Sequence, residues 1–127
     1  MNLSEYFENS RGRSVLATAD AKGTVDIAVY SKPHIIDEET VAFVMLDRLS
    51  HENLKTNNHA AFLFIEDGQK YNGKRLFLTK TGEDSDEETI KKFSRRKSGG
   101  INDDGNKKRF LVYFHIDRIL PLIGDKE

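Results

Sequence analysis

The segment Thr40–Phe64, TVAFVMLDRLSHENLKTNNHAAFLF, leaves this chain few ways to fold. Val41 to Leu46 is an unbroken apolar run of strand length. Ser50 to Lys55 carries a helix turn or two, and Ala60 to Ile65 is a second apolar run. A helix therefore opens straight after a strand, with Arg48, Ser50 and His51 gathered at the junction. The first amides of a helix lack partners within it and carry partial positive charge, which makes this junction a natural phosphate seat. A phosphorylated cofactor is the first ligand it suggests.

The flanking sequence reads as more strands. Residues 3 to 10 place Leu3, Tyr6 and Phe7 at helical spacing behind a Ser4 cap. Ser14 to Asp20 is a strand, and the turn at 21 to 23 leads into a second, Thr24 to Ser31, with Gly23 supplying the positive φ of the hairpin loop. Pro33 marks a bulge or an edge, and His34 to Asp37 forms a brief strand. Arg75 to Thr81 and Arg109 to Ile116 are further strands, with LPLIG packing or trailing after the last. Ser85 and Glu88 match the S-x-x-E capping box of a helix that buries Ile90 and Phe93. Residues 99 to 106 read as a flexible loop.

Six or seven strands at short intervals, two or three short helices and no βαβ rhythm point to a mainly β chain: an antiparallel sheet or barrel with peripheral helices. At 127 residues, positions 1–127 form a single domain. With 37% hydrophobic and 32% charged residues the core is small, and a chain of this kind often completes its burial against a second copy. The net charge of −1 gives no global attraction to nucleic acid or an anionic membrane. The basic run at 91 to 97 follows five acidic residues, an order that matches a helix macrodipole. Cysteine is absent, which excludes disulfides, thiolate catalysis and cysteine-ligated metals. The start of the chain lacks an apolar signal core, and no run is long enough to span a bilayer, so the cytoplasm is the expected compartment.

The histidines offer no metal-ligand spacing; HENLK is not HExxH. His51 reads as a surface helix residue more readily than as a catalytic base. Ser50 reads as a helix cap, with or without a phosphate contact. Arg48 is either a solvated loop residue or a planar fork for an anion.

The succession VLATADAKGTVDIAVYSKP, VAFVMLDRLSHENLKTNNHAAFLF and GKRLFLTKTG resembles the FMN-binding split-barrel superfamily, which includes pyridoxamine 5′-phosphate oxidase and small FMN-binding proteins. The resemblance covers most of residues 3 to 123 and rests on order and spacing. It implies a six- to seven-stranded antiparallel split barrel, with FMN held noncovalently in a groove between the two chains of a homodimer. By position, Ala28, Val29, Tyr30 and Ser31 become candidates to contact the flavin. The stretch from Met45 to Asn53 becomes the phosphate region, with Leu46, Arg48, Ser50 and His51 as contacts and Asn53 bracing the turn. Tyr30 either stacks on the flavin or fills the barrel surface.

The implied activity is a flavin-dependent oxidoreductase working between a small-molecule electron donor and acceptor, with no side chain marked as an essential acid or base. The alternatives are a reductase using the deazaflavin F420, or a non-enzymatic flavin-binding module. Departures from the oxidase pattern set vitamin B6 oxidation aside. His51 and Glu52 follow Ser50 where a lysine is usual, the flavin strand holds Asp26 and one base, Lys32, and Asp47 stands near the phosphate region.

Overall fold

The computed structural model describes residues 2–94 and 108–125. Seven strands alternate with three helices: α1 (Leu3–Asn9), β1 (Gly12–Ala19), β2 (Val25–Val29), β3 (His34–Asp37), β4 (Thr40–Leu46), α2 (Leu49–Thr56), β5 (His59–Glu66), β6 (Gly73–Asp84), α3 (Glu87–Ser94) and β7 (Arg109–Pro121). They form one antiparallel sheet in the order β2-β1-β5-β6-β7-β4-β3. The two edge strands are consecutive in the chain and joined only by residues 30 to 33. Laid flat, seven strands would set those edges about 29 Å apart, whereas so short a link reaches less than about 20 Å. The sheet must curl, and the mainly β barrel with peripheral helices follows from that constraint.

Inward-facing residues alternate along the strands and meet in an aromatic core. Phe43 packs against Phe62 and Phe114 with ring centroids 5.3 and 5.8 Å apart. Helix α1 closes one end of the barrel, placing Phe7 edge-on to Phe64 at 5.3 Å and burying Leu3. Burying one such side chain contributes about 2 kcal/mol, so this small plug matters to stability. Strands β4 and β7 are apolar on both faces because α3 covers their outer side: Ile90 packs with Ala42 and Leu111, all fully buried. Two glycines permit close strand approach. A side-chain carbon at Gly12 would strike the Ile65 carbonyl, and one at Gly73 the Phe64 carbonyl.

Several local expectations need correction. Asn2, not Ser4, caps α1, its Oδ1 accepting from the Glu5 amide at 3.1 Å. The expected Ser85–Glu88 box is replaced by Asp86, whose carboxylate accepts from the Thr89 amide at 3.1 Å and hydroxyl at 2.8 Å. Ser85 is displaced from the cap because β6 runs on to Asp84. The last strand continues past Ile116 through Pro121, so the start of LPLIG is paired sheet rather than a tail. The loop expected at 99 to 106 and the basic residues 95 to 97 lie outside the described residues. No helix among the described residues is long and apolar enough to cross a membrane.

Candidate functional site

Strand β4 ends in a tight turn. The Leu46 carbonyl accepts from the Arg48 amide at 2.9 Å, and α2 begins one residue later. Arg48 occupies the N-cap position, but its side chain makes no capping bond. Ser50 was expected there; it is instead the second residue of the helix and is buried. The leading amides of α2 are therefore left without a side-chain cap, and the exposed Arg48 stands beside them.

Asn53 does brace this region, though against β1 rather than its own turn: its amide donates to Thr18 Oγ1 at 3.0 Å in a buried contact. Leu54, fully buried, anchors the same helix in the core. His51 departs most from expectation. It is 2% exposed, stacks on Phe110 at 3.9 Å with nearly parallel planes, and faces Glu83 Oε1 through Nε2 at 3.0 Å. Lys80 Nζ reaches the same Glu83 oxygen at 3.0 Å. Burial pushes the Glu83 carboxyl up, but the bonds and charges of Lys80 and His51 outweigh it and leave the group below its ordinary value. Sequence spacing could not show this, because Glu83, Lys80 and Phe110 come from distant strands.

The flavin-strand candidates divide between the two sides of β2. Ala28 pairs with Leu16 and faces inward, and Tyr30 follows on that side; Val29 pairs with Val15 and faces out, and Ser31 is exposed. The backbone of Tyr30 is fixed to Ser14 by two bonds: its amide donates at 3.2 Å, and its carbonyl accepts from Ser14 Oγ at 2.6 Å. Its ring meets Phe43 edge-on at 5.8 Å. Its hydroxyl is pushed up by burial, an effect opposed by a hydrogen bond with Ser50 and by the Arg48 charge. Tyr30 thus lies between the end of β2 and the start of α2. Lys32, the one base near that strand, is already engaged, donating to the carbonyls of Phe7 at 2.6 Å and Ser10 at 2.8 Å. There it satisfies the open C-terminal end of α1.

Strand β2 also reverses the usual polarity. Val25, Ile27 and Val29 are 73%, 68% and 85% exposed, while Asp26 is sheltered on the inner side. Beside them on the outer face lie Val15, Ala17 and Ala19 of β1, then Ala61 and Leu63 of β5. This apolar surface continues over three strands.

No protein-family model matches the chain, and no curated protein matches it. Solved structures do. An FMN-binding protein from Syntrophomonas wolfei superposes with a TM-score of 0.76 at 21% identity, over 94% of this chain and 83% of that one. The chain has the split-barrel fold of that protein. An F420 reductase matches with a TM-score of 0.73 at 17% identity, covering 91% of this chain and 94% of that one. A protein from Lactobacillus delbrueckii described as a pyridoxamine 5′-phosphate oxidase matches at 0.67 and 19% identity, over 91% and 88%. At these identities the likeness carries the fold, and the reading of the site rests on the residues above.

Proposed function

We propose that this chain is an FMN-binding flavoprotein acting as a homodimer in the cytoplasm, and that it serves as an oxidoreductase between small-molecule electron donors and acceptors. The observation that carries the reading is the uncapped start of α2 with exposed Arg48 beside it, in a helix that lies against β2. The residues present fit a phosphate: helix amides that no side chain caps and a guanidinium supply donors and positive charge. Asp47, 54% exposed, opposes an anion there. A hollow of about 450 Å³ beside α1 and β3 is a poorer anion site, since its charged lining is Asp37 and Glu38.

When bound, the flavin supplies the hydride or electron transfer. The chain's own residues would orient it: the α2 amides and Arg48 would hold the phosphate, and Ala28, Val29, Tyr30 and Ser31 would contact the rest of the cofactor. The open face of β2, β1 and β5 supports a second copy as the other wall of the groove. The exposed side chains Val25, Ile27 and Val29 would be expensive to leave in water. The likeness to an F420 reductase supports a second reading, in which the same seat takes the deazaflavin. A module that binds flavin without turnover is separated from both by whether reduced nicotinamides bleach the bound cofactor.

The absorbance spectrum of the purified protein, loaded with FMN or with F420, decides between the cofactors. Arg48→Ala should weaken FMN binding roughly tenfold while leaving the melting temperature of the apoprotein unchanged. An unchanged affinity would remove Arg48 and the α2 seat from the proposal.

A further inference from the structure

His51 is the third residue of α2, and its two ring nitrogens meet different surroundings. Nε2 faces Glu83 at 3.0 Å. Nδ1 is buried without a hydrogen-bond partner and points back toward the turn that opens the helix, where Asp47 Oδ1 lies 3.6 Å away. A neutral imidazole has one donor. If it donates to Glu83, its lone pair at Nδ1 is left buried against a second carboxylate, an arrangement that costs free energy. An imidazolium carries a proton on each nitrogen and sets its charge between the two carboxylates, which removes that conflict. Its charge, however, then sits within the first turn of α2, where the positive end of the helix dipole and Arg48 oppose it. The two carboxylates favour a charge on the ring while the helix start and Arg48 oppose it, and an anion arriving at the helix start removes that opposition.

We propose that anion binding at the start of α2 is coupled to protonation of His51, which is a positioning residue behind the seat rather than a ligand of the anion. This rests on the reading of the α2 start as an anion seat. The charged groups that face His51 are Asp47 in the turn after β4 and Glu83 of β6, with Lys80 of β6 on the same Glu83 oxygen, Arg48 and Glu52 near it in the chain at the start of α2, and Lys108 ahead of β7. Lys108 lies over the far partner of the stack, 5.6 Å from the Phe110 ring centre. By linkage the effect is reciprocal: the anion favours the proton, and the proton favours the anion. Affinity for an anion of fixed charge should rise as pH falls, and protonation of Nδ1 lets Asp47 turn from repelling the anion to holding the imidazolium.

Inorganic sulfate is the probe, because its charge is constant between pH 6 and 8, whereas a phosphomonoester gains a proton near pH 6. Its dissociation constant should fall with decreasing pH by at least threefold and at most roughly tenfold per unit, the limit for one coupled proton. His51→Asn should flatten that dependence. Glu83→Gln, at a partly exposed position, should reduce it while the protein stays folded. Nitrogen NMR of the wild-type His51 ring should show both nitrogens protonated once sulfate is bound. A pH-independent sulfate affinity, a slope that survives in His51→Asn, or a ring unchanged by sulfate would each overturn the coupling. Should His51→Asn fail to fold, Glu83→Gln and the NMR measurement decide the matter. If FMN leaves no spectrum while sulfate binding keeps its His51-dependent slope, the cofactor reading fails and this inference stands.

Discussion

On the outer side of β4 and β7, α3 lays Ile90 and Phe93 over Ala42, Val44, Leu111 and Tyr113. On the outer side of β2 no described residue covers Val25, Ile27 or Val29. Both surfaces are apolar and both belong to one sheet. The difference is that, among the described residues, a helix covers one and none covers the other. The covered half is finished within the chain, and its residues bear on folding. The open half lies next to the start of α2, and its residues bear on the assembly and the cofactor groove proposed above. An apolar strand face here therefore has a different meaning depending on where the chain's own helices reach.

The sharpest way to break the contrast is to charge the open side. Ile27→Asp should weaken self-association by a hundredfold or more, about 3 kcal/mol, and lower flavin retention with it. Light scattering across a dilution series reads the result, against a wild type at twice the 14.5 kDa chain mass. A variant that keeps the wild-type mass would show that the second copy does not use this face. The covered side should respond in the opposite way: Ile90→Ala removes a fully buried side chain and should cost about 2–4 kcal/mol in urea unfolding without changing oligomeric mass. If Ile90→Ala also dissociates the protein, the two halves are not separable.

The smallest effect lies on the polar row that crosses the sheet between them, where Thr40, His115, Thr79 and His59 are cross-strand partners. The hydrogen bond to Asp117 at 2.9 Å raises the His115 value above that of a free histidine, with Glu39 adding to it. A raised value means the folded state holds the proton more tightly. The stabilisation is complete below about pH 6.5, the free value, and is lost as pH rises through the folded one. His115→Gln should flatten the small loss of thermal stability between pH 6 and 8. A slope identical to that of the wild type would assign it elsewhere.

Local pattern revealed the barrel well, because strand-length apolar runs and the strand–helix–strand of residues 40 to 65 depend on near neighbours. The double-sided burial of β4 was visible as the continuous run VAFVML. The site was less legible. Ser50 has the chemistry of a cap, yet the tight Leu46–Arg48 turn starts the helix early and carries Ser50 inside it. His51 reads as a surface residue because nothing in α2 reveals Glu83 and Phe110 on strands far along the chain. Lys32 looks like a cofactor base until the end of α1 is seen to need a donor. In β2, Val25, Ile27 and Val29 face outward and Asp26 and Ala28 inward, a direction that the strand reading alone did not set.

The glycines flanking β5 set a condition on how the chain finds its alignment. Alternation of inward and outward side chains forbids a slip of one residue but tolerates a slip of two. Such a slip would bring Ser10 or Ser14 to the place of Gly12, or Tyr71 or Arg75 to that of Gly73, where the Ile65 and Phe64 carbonyls leave no room for a side-chain carbon. Strands β1, β5 and β6 therefore carry a steric check on their own register, built from two positions where only glycine fits.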